Sequence, residues 1–208
     1  GTVLGTALGG QEGAVCRAGR FPANGTDSPQ DAVDTGVDVD DDLGSAGALA
    51  FWYRSDGPWD DGRAAALVDA SVAPAYFYVI KTPDGRVRFG VEDSEDDPVR
   101  FDTDRQAFGA GDWVHVAVTW DFGNDEFAIW LNGAVAATAS TGTSGAISEL
   151  GTLYVGDNRS SYHFQGTGNS AAGRIDEVML FDEVAVEAEI AGRFGAMPGL
   201  RIHAAEHA

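Results

Sequence analysis

The chain has 208 residues, 44% of them hydrophobic, and a formal net charge of −20 at pH 7. Its apolar content is enough for a folded core, which excludes a wholly disordered chain, and no run approaches the roughly 18 consecutive apolar residues that mark a membrane-spanning helix. The acidic balance argues against nucleic acid and anionic membranes as partners, because proteins bind both through Lys and Arg.

The charged residues are unusual in kind. Lys81 is the single lysine beside twelve arginines, and Asp outnumbers Glu by 23 to 10. In dilute buffer so much negative charge repels itself, whereas at molar salt the Debye length falls to about 3 Å and the repulsion is screened. The composition therefore predicts adaptation to a hypersaline medium, as in haloarchaea. A marine or calcium-binding acidic protein is the alternative, although lysine depletion has no evident reason there.

The N-terminal region gives few signals. Gly1–Gly10 has neither the basic nor the apolar segment of a signal peptide, so we expect a processed chain or a fragment of a longer one. Residues 1–24 are rich in Gly and Ala and are predicted to form an N-terminal arm or an edge strand. Cys16 is the single cysteine, which excludes an internal disulfide, and we expect it to be a small buried apolar group.

Short apolar runs separated by turn residues follow along the chain. In Trp113–Trp120, every second residue from Val114 is Val or Trp, which predicts a strand with one packed face. Asn132-Gly133 and Pro83-Asp84-Gly85 predict hairpin turns. The predicted strands are Ala48–Arg54, Ala65–Asp69, Tyr76–Lys81, Val87–Val91, Trp113–Trp120, Phe127–Leu131, Ala134–Ala139, Thr152–Gly156 and Ile175–Phe181.

Helix signals are nearly absent. Only Val186–Phe194 has apolar residues at helical spacing, and residues 196–208 are predicted to be a C-terminal tail or linker. These patterns predict an all-β fold, a two-sheet antiparallel β-sandwich with one short C-terminal helix.

Several segments, in order, resemble LamG-like domains of the concanavalin A-like lectin/glucanase superfamily, which are laminin G-like jelly rolls. They are the early strand Ala48–Arg54, the central hairpin Gly111–Asp121 with Ile129–Gly133, the segment Leu153–Gly156, and the closing strand Gly173–Phe181 with Val186–Ile190. The resemblance covers about residues 25–195. It implies two antiparallel sheets of six or seven strands, with the N- and C-terminal strands adjacent.

Trp59 is the first candidate ligand-binding residue. It lies in a turn-rich loop, Asp56–Gly62, where a tryptophan after Pro58 could stack on a sugar ring. The alternative is a loop anchor packed against the edge of a sheet. For the tryptophans within strands, packing in the core or on a sheet face is the favoured interpretation.

The polar segment Asp157–Ala171 is the second candidate. Its amides, arginine and aromatic residues suit the hydroxyl groups of a carbohydrate, and long loops on rigid scaffolds often carry function. The alternative is surface decoration. The candidate residues are Asp157, Asn158, Arg159, Tyr162, His163 and Gln165.

A structural Ca²⁺ is the one cofactor considered. The resemblance implies that an aspartate of the closing strand, here Asp176, contributes a ligand with partners from the N-terminal region, for which Asp27, Asp31 and Asp34 are the candidates. Asp157 and Asn158 form a second possible cluster. The run Asp38–Asp42 lacks the glycine and distal glutamate of an EF-hand, and we interpret it as a solvated surface.

The sequence argues against an enzyme. It has no E-x-D-x-x-E pattern that would place paired carboxyls on one face of a strand, and Asp176 and Glu177 are adjacent and therefore point to opposite faces. Tyr162 and His163 could be two members of a lyase trio, but no third member is assignable.

Two functions remain. The first is a non-catalytic extracellular carbohydrate- or surface-binding adhesion module of a halophilic organism or its virus, with a glycan or glycoprotein surface as partner. The alternative is a structural subunit of a surface appendage, envelope or virion that assembles with copies of itself or with neighbouring subunits. Either would lie outside the cell or on the surface of a cell or virion.

Overall fold

The computed structural model describes residues 1–23, 31–92, 98–142, 145–147, 149–157 and 170–184. This part of the chain holds fourteen strands and one helical turn, α1, at Val39–Asp42. The strands are β1 Thr2–Val3, β2 Leu8–Glu12, β3 Arg17–Phe21, β4 Val33–Asp38, β5 Ala46–Ser55, β6 Ala65–Asp69, β7 Phe77–Lys81, β8 Val87–Glu92, β9 Pro98–Asp102, β10 Trp113–Asp121, β11 Glu126–Leu131, β12 Ala134–Ala139, β13 Thr152–Val155 and β14 Gly173–Phe181.

The strands form two seven-stranded sheets. The first sheet has the order β1-β4-β13-β6-β7-β8-β9, and the second has the order β12-β11-β10-β5-β14-β3-β2. Adjacent strands pair antiparallel throughout the described sheets. The predicted two-sheet antiparallel sandwich is therefore confirmed. The helix predicted at Val186–Phe194 and the tail at 196–208 lie outside the described residues.

The core lies between the sheets and follows the alternation in the sequence. Val114, Val116 and Val118 are fully buried, and across the ladder they face the equally buried Tyr53, Phe51 and Leu49 of β5. The next residue on that face, Trp120, lies edge-on to Phe77 of the first sheet, with ring centroids 5.2 Å apart. Period-two alternation thus directs the large side chains of β10 into one shared apolar layer.

The opposite face of β10 is also buried, which corrects the expectation of a single packed face. His115 and Ala117 are fully buried although they point away from the core. A second apolar cluster lies on this outer face and consists of Ala48, Ala50, Ala117, Trp130 and Met179. The second sheet therefore carries apolar packing on both of its faces, as strands with few polar positions allow.

The strands that the sequence analysis missed have weak apolar patterns. β4 has the sequence VDTGVD, in which Thr35 stands between Val33 and Val37, and β9 has PVRFD, which offers only two apolar residues besides its proline, Val99 and Phe101. Before residue 25, β1 and β2 form edges of the two sheets and β3 pairs with β14. Within the described part of the chain, no helix is long and apolar enough to span a bilayer.

Cys16 departs from the expectation of burial. Its side chain is exposed in the turn between β2 and β3. Local desolvation, with smaller contributions from the nearby carboxylates Glu177 and Asp176, raises the pKa of this thiol. Because the thiolate is the reactive form, the carboxylates reduce the reactivity of Cys16 at neutral pH.

Candidate functional site

The predicted loop Asp157–Ala171 begins and ends at one point of the sandwich. Asp157 follows β13 and is fully buried, and the amide of Ala171 donates to the carbonyl of Gly156 at 2.7 Å. The hydroxyl of Ser170 donates to the carbonyl of Pro22 at 2.7 Å. Asn158, Arg159, Tyr162, His163 and Gln165 lie outside the described residues.

A glycine sets the direction of the chain before this loop. Gly156 has φ +90°, and a Cβ atom there would collide with the ring of Phe21. Its amide donates to the carbonyl of Leu67 at 2.8 Å, which keeps residue 156 alongside strand β6. The next residue, Asp157, is thereby brought to Asp31, whose amide lies 3.4 Å from Asp157 Oδ2. Asp157 of the predicted ligand-binding loop and Asp31 of the predicted calcium site therefore lie next to each other.

The predicted calcium ligands are otherwise used within the fold. Asp31 Oδ1 accepts from the amide and hydroxyl of Thr6 at 2.5 and 2.6 Å. Asp34 Oδ1 accepts from the amide of Gly36 at 2.9 Å. Asp176 lies in the second sheet, and its Oδ2 accepts from the amide of Val15 at 3.1 Å.

These carboxylates do not fit a single ion site in the described part of the chain. No group of three His, Cys, Asp or Glu side chains there could hold a metal ion. The described residues therefore do not bring Asp31, Asp34 and Asp176 together as one group, and a Ca²⁺ ligand role for any of them stays a prediction. Asp27 lies outside the described residues, and binding of Ca²⁺ elsewhere stays a prediction.

Trp59 is also corrected as a stacking residue. Its side chain is fully buried, with its ring centroid 4.8 Å from that of Phe108 and 5.8 Å from that of Tyr53. A ring enclosed in this way has no face open to a sugar. Trp59 instead anchors its loop against the core, which was the alternative interpretation.

A groove that the sequence analysis did not identify lies on the outer face of β10, β11 and β12. It has a volume of about 590 Å³, and we call it the Trp130 groove. Its lining residues are Thr119, Asn124, Asp125, Glu126, Phe127, Ala128, Trp130, Val135, Thr138, Ala139, Ser140 and Val184.

The register of the strands places the groove residues. Thr119, Ala128 and Thr138 lie opposite one another on three neighbouring strands and form a row with a small residue at its centre. Along β11, Glu126 and Trp130 flank Ala128 at two-residue spacing and therefore share its face. The groove thus has a floor of Ala128 between two hydroxyls, an indole at one end and a carboxylate at the other.

The indole end is built by packing. Trp130 is 8% exposed and belongs to the outer apolar cluster with Ala50 and Ala117. Its Nε1 atom is buried and has no acceptor among the described residues. The indole thus packs in this cluster and also lines the groove.

The polar end is fixed by hydrogen bonds. Asp125 has φ +55°, and its carboxylate accepts from the hydroxyl of Ser140 at 2.6 Å and from the amide of Gly142 at 2.8 Å. The amide group of Asn124 donates to Asp121 Oδ2 at 2.7 Å. These contacts tie the turn between β10 and β11 to the end of β12. The polar end of the groove is therefore preorganised, which lowers the entropy cost of binding a ligand.

Such an arrangement suits recognition of a sugar. An indole provides an apolar surface, while hydroxyl, amide and carboxylate groups donate and accept hydrogen bonds around it. The sequence analysis had placed Trp130 among the packing residues. The alternation of Glu126, Ala128 and Trp130 was a usable signal, but the walls from Ser140 and Val184 come from distant parts of the chain and depend on strand order.

Comparisons with known proteins agree on the fold. The sequence profile described as the concanavalin A-like lectin/glucanases superfamily (Laminin_G_3) matches residues 25–191. None of the curated proteins matches the chain.

Two toxin binding domains of known structure are similar in fold and distant in sequence. The binding domain of Paraclostridial Mosquitocidal Protein 1 has a TM-score of 0.68 at 14% identity, over 93% of this chain and 46% of that one. The binding domain of botulinum neurotoxin serotype D has a TM-score of 0.66 at 10% identity, over 93% and 45%. The chain therefore spans about half the length of these toxin domains.

A third structure matches along nearly its whole length. It is the CBM40 of the Ruminococcus gnavus IT-sialidase bound to α2,3 sialyllactose, with a TM-score of 0.64 at 14% identity, over 83% of this chain and 97% of that one. At such identities the likeness establishes the fold alone.

Proposed function

The chain belongs to the concanavalin A-like lectin/glucanases superfamily, and on that basis we propose that it is a non-catalytic carbohydrate-binding module whose ligand lies in the Trp130 groove. The groove itself carries the proposal, because it combines an indole wall with a row of two hydroxyls on a rigid sheet. Its volume lies within the range of roughly 300–1,000 Å³ that small-ligand sites occupy. This would accommodate one or two sugar rings.

Two further observations support binding rather than catalysis. Both oxygens of Asp125 accept hydrogen bonds from the end of β12, so this carboxylate has a structural task. The solved relatives are binding domains of toxins and a carbohydrate-binding module of a sialidase. We extend this role to an extracellular surface in a hypersaline medium, for which the charge composition is the support.

The test is a glycan array in about 2 M KCl, where surface charge is screened. We expect the wild-type chain to retain glycans and Thr138→Val to weaken retention about tenfold, since it removes one hydroxyl from the groove floor at nearly constant volume. Thr138 is exposed, so the fold should persist. Thr2→Val on the exposed strand β1 is the matched control and should bind as the wild type does.

Truncation of the indole gives a second readout. Trp130→Ala should abolish retention, whereas Trp130→Phe should keep part of it. Melting curves of each variant separate a loss of binding from a loss of fold. Retention that is unchanged in Thr138→Val and Trp130→Ala would place the ligand elsewhere and overturn the proposal that the Trp130 groove is the binding site.

The second candidate is a structural subunit that assembles through a sheet edge. The observation in its favour is β12, an edge strand without a charged residue, on which Val135 is 49% exposed. Uncharged edge strands can pair with another copy of the chain. Sedimentation at several concentrations tests this role: a concentration-dependent oligomer without glycan binding supports assembly, and a monomer that retains glycans supports the binding module.

A further inference from the structure

We infer that the Trp130 groove selects uncharged sugars and rejects glycans that carry carboxylate or sulfate groups. The inference rests on the proposed function, because it names the class of ligand for the same groove. It is carried by the charges at the turn between β10 and β11 and by the sequence segment that builds β10, β11 and β12.

The described residues that line the groove include no cationic side chain: none of these twelve is Lys, Arg or His. The sequence explains this, since residues 106–158 contain neither Lys nor Arg and supply every described lining residue except Val184. Proteins usually recognise carboxylate and sulfate groups through Arg or Lys, and bidentate Arg contacts are the strongest of these.

Two described arginines of the sheets are paired with carboxylates away from the groove. Arg88 pairs with Asp102 at 2.6 Å on the first sheet. Arg20 pairs with Asp56 at 3.0 Å in the second sheet, beyond β14 from the groove strands. Neither residue lines the groove.

The polar end of the groove is negative. Asp125 and Glu126 line it, and Asp121 holds the amide group of Asn124 beside them. Glu126 is exposed on the same face as Ala128, so its charge borders the floor. An anionic substituent in the groove would meet these carboxylates with no compensating cation among the described lining residues, and like charges placed together reject a ligand efficiently. A neutral ring can instead donate its hydroxyl hydrogens to them.

The experiment uses an array with matched pairs that differ by one anionic group, such as lactose with α2,3 sialyllactose and N-acetylglucosamine with its 6-sulfate. It is run with the full chain in about 0.1 M KCl, where surface charges are screened less than at molar salt. We expect binding to neutral members to exceed binding to their anionic partners at least tenfold. Both members of the pair that contains the tightest-binding glycan are then titrated by calorimetry.

Two charge variants make the inference specific to the groove. Glu126→Arg places a cation at the polar end and should shift the neutral-to-anionic ratio at least fivefold toward the anionic sugar. Glu12→Arg makes the same change of charge on β2, at the opposite edge of the same sheet, and should leave the ratio unchanged.

The outcomes separate this inference from the proposed function. Equal affinity of the wild type for both members of a pair overturns the selection of uncharged sugars but leaves a glycan-binding module. An equal shift in Glu12→Arg and Glu126→Arg overturns the role of the groove, since only net charge would then matter. Retention of no glycan at all overturns both proposals.

Discussion

The ammonium group of Lys81 lies 2.8 Å from Asp61 Oδ1 and is almost completely buried. It also donates to the carbonyls of Trp59 and Arg63, at 2.9 and 2.8 Å. The three acceptors lie in the loop between β5 and β6, and all three donor positions of the ammonium are used. The side chain of Lys81 therefore fixes this loop against the end of β7.

Replacement of Lys81 tests this role. Lys81→Met should lower the free energy of unfolding by about 3 kcal/mol, because it leaves buried acceptors in the loop without their donor. Urea unfolding in high salt measures the change. Arg105→Met is the matched control: Arg105 is 68% exposed and lies 3.4 Å from Asp84, so its loss should cost less than about 0.5 kcal/mol. Equal losses in both variants would refute the assigned role.

Trp59 should matter for stability rather than for binding. Trp59→Ala removes a fully buried ring and should cost about 3–5 kcal/mol, whereas Trp59→Phe should cost less because it leaves a smaller cavity. At a temperature where Trp59→Phe remains folded, its affinity for any glycan retained by the wild type should be unchanged. Selective loss of affinity in a folded Trp59→Phe variant would restore Trp59 as a ligand contact.

The buried His115 should contribute to the loss of stability of the fold at low pH. Burial lowers the pKa of His115 from 6.5 to about 4, and its ring lies 5.3 Å from that of Trp52. Between pH 6.5 and 4 the unfolded chain then binds more protons at this position than the folded chain. The free energy of unfolding should therefore fall as pH is lowered through this window, by up to about 3 kcal/mol, and be independent of this group above it.

The variant His115→Gln isolates that contribution, because the many carboxylates titrate in both proteins. The difference in unfolding free energy between wild type and variant should depend on pH only below about 6.5. A constant difference from pH 7 to 4 would mean that His115 does not titrate as expected.

The acidic run around α1 should respond to salt. Its carboxylates repel one another, and the pKa of Asp38 is raised, first by a hydrogen bond with Asp40 and then by desolvation and the charges of Asp40 and Asp41. Asp41→Asn should raise the melting temperature by about 1–2 °C in about 0.1 M KCl and by almost nothing near 2 M. Glu12→Gln, on β2, serves as control and should give no such gain. A gain that persists at high salt would exclude screened repulsion as the cause.

The sequence predicted the interior of the sandwich better than its periphery. β10 was predictable because its valines alternate, and β6 and β12 because turn residues bound uniform short runs. β9 was not, since this edge strand begins with a proline and has only two further apolar residues, Val99 and Phe101. The burial of Trp59 was also not readable from its loop, because its ring packs against Tyr53 and Phe108, which lie outside that loop.

The candidate site was predictable only in its chemistry. Aromatic residues, amides and an arginine were expected to bind a carbohydrate, but they were sought in loops, where function is common. The Trp130 groove instead depends on the pairing of β10, β11 and β12, which places Thr119 beside Ala128 and Thr138. Register is a property of the assembled sheet, so no local pattern reveals that row.

The solitary lysine offers a built-in probe of motion. Because Lys81 is 1% exposed and its ammonium is fully hydrogen-bonded, amine-acylating reagents should modify it only when the 56–63 segment transiently detaches. The acylation rate at Lys81, followed by peptide mass mapping, would then report how often this segment opens, without any mutation or added label.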